Sequence, residues 1–159
     1  MRAARLVQLM KSNSAALSEQ LVEKIRASEK CGDLCARVPE NEHKQYAVQV
    51  FHDLTEWLGH ESDAIVEARY VGLGAHRFAQ RVPLSQLSWA LSIARDSLWN
   101  YTAQECLHED PVEFIGGVML LQSLNSFFDR ALYFVILGYQ RAEHDESAAA
   151  SSLGLKRPA

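Results

Sequence analysis

The chain has 159 residues, of which 48% are hydrophobic and 23% charged, and its 16 basic and 20 acidic side chains give a net charge of −4. This length suits a single domain whose hydrophobic core needs neither disulfide bonds nor a metal. The slight acidity and the lack of a Lys/Arg cluster argue against a nucleic-acid partner, because binding to phosphates depends on such clusters.

Apolar residues spaced three and four positions apart predict helices along most of the chain. A short helix is expected over residues 2–10. A second is expected over residues 14–29, with Ser14 as its N-cap, because a serine hydroxyl can satisfy an otherwise unpaired amide. Residues 31–40 contain a glycine and a proline and are predicted to form a loop.

Three longer helices are predicted in the middle of the chain, over residues 41–59, 63–80 and 84–107. The last two are separated by Pro83, whose ring fixes φ and disfavours helix in the preceding residue. On the second of the three, a seam of small side chains predicts close packing against a neighbouring helix. The seam consists of Ala68, Gly72, Ala75 and Ala79.

The final helix is predicted to be the longest, from Pro111 to about His144, with proline suited to the first helical position. Two adjacent apolar stripes cover most of its circumference, which is more than one buried face needs. We therefore expect a homodimer that uses the first or the last long helix. Residues 146–159 are small and unpatterned and are expected to form a flexible tail or linker after a single domain over residues 1–145.

The fold class predicted from these elements is all-α, a bundle of five to six helices, with no convincing strand. Three cysteines, Cys31, Cys35 and Cys106, form no repeating framework and favour a reduced, cytoplasmic setting. No secretory signal is visible. The longest unbroken apolar stretch, 131–137, is too short to cross a bilayer, so no membrane association is predicted.

No arrangement of catalytic or metal-binding residues is visible in the sequence. Cys31 and Cys35 have one intervening residue too many for the usual zinc knuckle, and the histidines downstream do not share a helix face. No nucleophile elbow, phosphate-binding glycine loop or helical histidine–carboxylate motif occurs. The sequence therefore predicts a protein that is not an enzyme, with no catalytic residues and no metal.

A small-molecule effector pocket is expected between the third, fourth and final long helices, because aromatic bulk with a few polar tips is typical of such sites. Its border would be formed by Tyr70, His76, Trp89, Trp99 and Phe128. The competing interpretation is that these residues simply fill the core. For His76, a ligand-contacting or haem-ligating imidazole competes with a histidine that is hydrogen-bonded locally.

Two segments carry a resemblance to a known family. Residues 70–91 follow the pattern Y-x3-G-x-H-x5-V-P-L-x2-L-x2-A-L, and residues 128–139 read F-D-R-A-L-Y-F-V-I-L-G-Y. Both resemble the N-terminal domain of RsbR-type (RsbRD-like) regulators, the RsbT co-antagonist proteins of bacterial stressosomes, over roughly residues 14–144. The resemblance implies a globin-like fold that generally lacks haem, dimerises, and often precedes a STAS, kinase or other signalling output.

The resemblance implies a non-enzymatic sensory or regulatory domain, haem-free and without any cofactor. It would act through dimer or partner contacts in response to an unknown small-molecule effector. The chain would be a stand-alone member or part of a longer regulator.

The alternative is a haem-binding globin-type gas sensor that uses His76. Haem-bearing sensor globins place their proximal histidine before a similar turn, but aligning that turn without gaps on residues 81–83 puts Arg77 at the ligand position. A slip of one residue rotates a helical side chain by about 100°, which disfavours His76 as an axial ligand.

Overall fold

The computed structural model describes residues 2–60, 62–106 and 110–154. Its regular secondary structure over these residues is helical throughout, without a strand, which confirms the all-α prediction. The six α-helices of this part are α1 (Arg2–Ala27), α2 (Gly32–Arg37), α3 (Glu40–His60), α4 (Asp63–Ala79), α5 (Leu84–Cys106) and α6 (Pro111–Ser152). A short 3₁₀ helix, Glu29–Cys31, lies between α1 and α2.

The first helix, α1, is continuous, so the prediction of two helices separated at an N-cap is wrong. Ser14 lies inside α1, and its hydroxyl donates to the Lys11 carbonyl of the same helix. The buried Leu6 and Met10 continue the apolar stripe that Leu21 carries further along the helix. One continuous helix forms because one face stays apolar along its length and no glycine or proline interrupts it.

The segment predicted as a loop, 31–40, contains the short helix α2. Leu34 anchors α2 in the core, and its backbone amide donates to Oε1 of Gln86 on α5 at 2.9 Å. The helix ends at Val38, which adopts an extended conformation directly before Pro39. The loop prediction failed because a buried leucine and a partner on a distant helix outweigh the local turn signals.

The next three helices match their predicted ranges closely, although Leu107, the predicted end of α5, lies outside the described residues. After α4 the chain reverses at Arg81, whose φ of 62° is left-handed. The amide of Val82 then donates to the Arg77 carbonyl at 3.1 Å, which caps the helix end.

The last helix, α6, starts as predicted but continues to Ser152, beyond the expected end near His144. At its start the Asp110 side chain accepts from the amide of Val112 at 2.8 Å. At its other end three consecutive alanines favour helix, and the left-handed Gly154 follows the final turn. Residues 146–152 of the predicted tail are therefore helical, and 155–159 lie outside the described residues.

The closest helix crossing joins α4 and α6, and it is made by residues other than the predicted seam. A Cβ on Gly74 would lie 2.1 Å from the Val135 carbonyl oxygen, and a Cβ on Gly138 would lie 2.0 Å from that of Val71. A Cβ on Gly72, by contrast, would meet nothing within 4 Å. The seam that includes Gly72 lies largely on the exposed face of α4, so that prediction is wrong.

The core extends along the whole bundle, where α6 packs on α4 and α5, and α1 packs on α3 and α5. Its centre is Phe127 of α6, which is fully buried against Tyr70 and Trp57. A smaller apolar cluster under α2 contains Cys31, Leu34 and Val82. The two clusters flank the cavity described below.

Candidate functional site

The five residues predicted to border an effector pocket lie in different environments. Tyr70 and Phe128 are both buried, and each ring packs edge-on against Phe127, at centroid distances of 5.9 and 5.1 Å. Trp89 and Trp99 lie partly exposed on α5, and the Lys30 ammonium sits 3.8 Å from the centre of the Trp89 ring. The structure therefore brings together Tyr70 and Phe128 but places both tryptophans outside the core.

His76, the fifth predicted residue, lies on the surface with 47% of its side chain exposed. Its Nε2 is 3.2 Å from Oε2 of Glu42 on α3. It lines an open groove between α3 and α4 together with Gln45 and Gln49. The ring is thus hydrogen-bonded to a neighbouring side chain, which agrees with the interpretation of His76 as a locally bonded histidine.

Arg77, next to His76, is the buried charge of this region, with only 3% of its side chain exposed. Its Nη1 donates to Oε2 of Glu42 at 2.8 Å and to Oε1 of Gln80 at 2.6 Å. The guanidinium also lies over the Tyr46 ring, 4.4 Å from its centroid. Arg77 thus joins α3 to the end of α4.

The role of Arg77 has a signal in the sequence, its position on an otherwise apolar helix face. Val66, Tyr70 and Leu73 form the buried stripe of α4, and Arg77 is the next position on that stripe. A charged residue in such a place must be paired, because an isolated buried charge is costly. Its partner, Glu42, could not be identified from the sequence because it lies on another helix.

The carboxylate of Glu42 is strongly stabilised in its ionised form. Hydrogen bonds from Arg77, and further ones from Gln80 and His76, lower its pKa from 4.5 to about 2, although partial burial acts in the opposite direction. The pair is consequently an ion pair at neutral pH, and a carboxylate with so low a pKa is a weak base.

A cavity of about 70 Å³, partly open to solvent, lies beside Arg77 on the inner side of the bundle. Helices α1 to α5 all contribute apolar side chains to its lining. They include Leu21, Leu34, Val50, Leu73, Leu91 and Ala94, which are all buried. None of the five residues predicted from the sequence lines this cavity. The central space of the molecule is thus separated from the aromatic cluster around Phe127.

His43 is the histidine in the cavity lining. Its Nε2 has almost no accessible surface and no hydrogen-bond partner among the described residues. Burial, together with the nearby Arg77 charge, lowers the pKa of His43, whereas a hydrogen bond to the Leu34 backbone raises it. The imidazole is therefore neutral at pH 7.

A second buried polar group lies between α3 and α4. The side chain of Asp53 is 1% exposed, accepts from Gln49 Nε2 at 2.8 Å and pairs with Arg69 at 3.1 Å. Burial raises the pKa of Asp53, and burial beside Asp53 raises the pKa of the Tyr70 hydroxyl. The Tyr70 hydroxyl faces the Asp53 carboxylate and interacts with it. This cluster joins α3 to α4 through the ion pair between Asp53 and Arg69.

The first turns of α6 carry an exposed apolar face. Val112, Ile115 and Met119, spaced three and four residues apart, are 73%, 61% and 63% exposed. Phe114 and Val118 lie beside them and are also partly exposed. A continuous face of this kind on one helix usually marks an interaction surface.

The described residues contain no group of three or more His, Cys, Asp or Glu side chains positioned to hold a metal ion. Nor is any helix of the described part both long and apolar enough to traverse a lipid bilayer.

The family model described as the RsbT co-antagonist protein rsbRD N-terminal domain matches residues 15–153. No curated protein and no solved structure gives a significant match. The globin-like character of the bundle therefore stays a prediction.

Proposed function

The chain belongs to the family of RsbT co-antagonist protein rsbRD N-terminal domains, and we propose that it acts as a haem-free homodimer that passes a signal to a partner protein. The family implies a regulatory signalling domain of the stressosome rather than an enzyme. The domain would respond to a small-molecule effector by favouring one of two helix packings, which requires the effector to bind the two with different affinities.

The observation that carries the homodimer is the exposed apolar face at the start of α6. Val112, Ile115 and Met119 would lose their contact with water if the faces of two copies met across a two-fold axis. Helix α6 packs on α4 and α5 through buried residues such as Leu124, Phe127 and Val135, whereas Ile115 and Met119 stay exposed to solvent.

The homodimer is tested by replacing Ile115 and Met119 with aspartate in one double variant. Buried charge at the dimer interface should convert the wild-type dimer to a monomer in light scattering at micromolar concentration, with the helical circular-dichroism spectrum unchanged. Val48→Asp is the matched control, because Val48 is also about half exposed but lies on α3. A monomeric wild-type protein, or a dimer that survives the double substitution, would contradict the proposal.

The haem-free state is supported by the position of His76 and by the size of the cavity. The His76 ring is engaged with Glu42 at the surface, and the residue that reaches the cavity from the same turn is Arg77. Arginine stays protonated and has no free lone pair to offer a metal. The cavity of about 70 Å³ is also far below the roughly 300–1,000 Å³ of pockets for larger ligands. The groove that His76 itself lines is larger, about 750 Å³. It is open to solvent and bordered by polar side chains such as Lys44, Gln45 and Gln49, so it does not offer a haem the enclosed apolar walls of a typical ligand pocket.

The proposal also includes the partner protein that receives the signal. The family name describes a co-antagonist of RsbT, and we expect a STAS, kinase or other signalling protein to read the state of the dimer. A cytoplasmic location is part of the proposal and is supported by the free thiols of Cys31 and Cys35, which suit a reducing compartment. Copurification with a tagged candidate kinase would test the partner, and the α6 double variant would show whether binding requires the dimer.

A further inference from the structure

We infer that the cavity among α1 to α5 is a binding site for a small, uncharged, apolar molecule of about two to four non-hydrogen atoms, the size class of a dissolved gas or a short hydrocarbon. This inference names the ligand class for the regulatory function proposed above and rests on it. Neither His76 nor the aromatic residues around Phe127 line the site.

The space exists because three alanines lie where larger residues would fill the core. Ala47 comes from α3, and Ala90 and Ala94 come from α5, one turn apart. All three are buried, yet their side chains end at Cβ. Protein interiors are otherwise close-packed, so three converging alanines leave a gap that neighbouring leucines do not close.

The chemistry of the lining excludes a charged ligand. Apart from Arg77, His43 and Tyr46, the lining consists of aliphatic side chains. The charge of Arg77 is already balanced by Glu42, and Nε2 of His43 is too enclosed for a molecule in the cavity to reach it. A water molecule would need two to four polar partners to be stable there, which the aliphatic lining does not offer, whereas an apolar guest needs none.

The volume sets the size of the ligand. A water molecule occupies about 30 Å³ in the liquid, and a cavity of about 150 Å³ is known to hold benzene or xenon. At about 70 Å³, this cavity suits a smaller guest. Such a molecule would gain dispersion contacts that the lining residues lack when the cavity is empty.

The position of the cavity gives the ligand a way to act. A guest would touch Leu21 of α1, Val50 of α3 and Leu91 of α5 at the same time as Leu73 and Arg77 of α4. Because α4 is packed tightly on α6 through Gly74, a change in the seating of α4 is transmitted to the helix that carries the exposed apolar face.

The test uses xenon and cyclopropane as probes in amide correlation spectra of the full chain. We expect saturable shifts confined to residues around the cavity, such as Leu73 and Leu91, and a rise in melting temperature with probe concentration. Ala94→Leu should fill the space and remove the saturable response. Ala68→Leu, the same substitution on the exposed face of α4, should leave the response intact.

Two outcomes would overturn the inference: shifts that grow linearly without saturation, or a response that persists in a folded Ala94→Leu variant. If that variant does not fold, the smaller Ala94→Val and Ala90→Val substitutions, together with a wild-type crystal pressurised with xenon, give the same decision. Dimerisation is tested independently of ligand binding. The Ile115→Asp/Met119→Asp variant should bind both probes as the wild type does. Loss of the dimer would therefore leave ligand binding intact, and loss of ligand binding in Ala94→Leu would leave the dimer intact.

Discussion

Gly74 of α4 lies so close to Val135 of α6 that a Cβ on the glycine would come within 2.1 Å of the valine carbonyl oxygen. The reciprocal approach, from Gly138 to the Val71 carbonyl, lies beside it on the same helix pair. Two helices therefore meet backbone to backbone, and each supplies the one residue type that permits it. This crossing fixes α4, and with it Arg77, relative to the longest helix.

Replacing Gly74 or Gly138 with alanine should lower the free energy of unfolding by about 2 kcal/mol or more, because the methyl group forces the two backbones apart. Thermal and urea unfolding of each variant would measure the loss. The control is Gly72→Ala, where the added methyl meets nothing within 4 Å. That variant should be more stable than the wild type by about 0.5–1 kcal/mol, because alanine favours helix. Equal behaviour of Gly72 and Gly74 would show that the close crossing is not present.

The contrast between these glycines shows what the sequence could predict of the fold. The number and approximate limits of the long helices follow from local periodicity, and a small-residue packing face on α4 was expected. Which small residue faces α6 depends on how the helix is rotated about its axis, and that is decided by Val66, Tyr70 and Leu73 entering the core. In α1 the capping signal of Ser14 is outweighed by the apolar stripe that continues past it, so one helix forms where two are predicted.

Glu42→Gln should destabilise the protein at pH 7 by about 1–2 kcal/mol, because Arg77 is buried and loses its counter-charge while Glu42 itself is partly solvated. The pKa of Glu42 is about 2 in the folded chain and near 4.3 in an unfolded one. The stabilisation that ionised Glu42 provides is therefore fully present at pH values above the pKa of the unfolded chain. It is lost as the pH falls from about 5 towards 2. The stabilities of variant and wild type should converge over that interval.

Urea unfolding of both proteins between pH 7 and pH 2.5 would measure this convergence. Glu40→Gln is the control, since the pKa of Glu40 is also lowered, by Arg26 and Lys44, but its side chain is 62% exposed. Because solvent screens this exposed ion pair, the stability of Glu40→Gln should be close to that of the wild type at every pH. A difference for Glu42→Gln that stays constant with pH would mean that the ion pair is not the source of the effect.

Tyr139→Phe should cost about 1 kcal/mol, the usual net value of one intramolecular hydrogen bond. The Tyr139 hydroxyl donates to the Val82 carbonyl at 2.8 Å, and this bond joins α6 to the turn between α4 and α5. The ring stays in contact with Phe78 in the variant, so packing is preserved. Tyr133→Phe is the matched control, because the Tyr133 side chain is 60% exposed, and chemical denaturation should show no change for it.

The candidate site was less predictable than the fold, for a physical reason. The aromatic residues chosen as pocket borders have the composition of a binding site, yet Tyr70 and Phe128 pack against Phe127, as the competing interpretation allowed. The actual cavity is lined by aliphatic residues and alanines, which have no chemical signature of their own. Only the convergence of five helices turns Ala47 and Ala94 into the walls of a space, and no linear pattern records that convergence.

His43, His52 and His76 lie in different environments, and none of them is expected to ligate haem iron. Protein titrated with haemin should show the broad absorption of free haemin, without the sharp Soret band of an axially ligated iron. His76 is held by Glu42 at the surface, and the cavity beside Arg77 holds about 70 Å³, too little for a porphyrin. His76→Ala and His43→Ala should therefore give the same spectrum as the wild type, as should the exposed control His52→Ala. A Soret band lost only with His76 would establish the haem-sensor alternative. A band lost only with His43 would also contradict the haem-free proposal, and it would place iron in the cavity, which would then have to open by several hundred Å³ on binding.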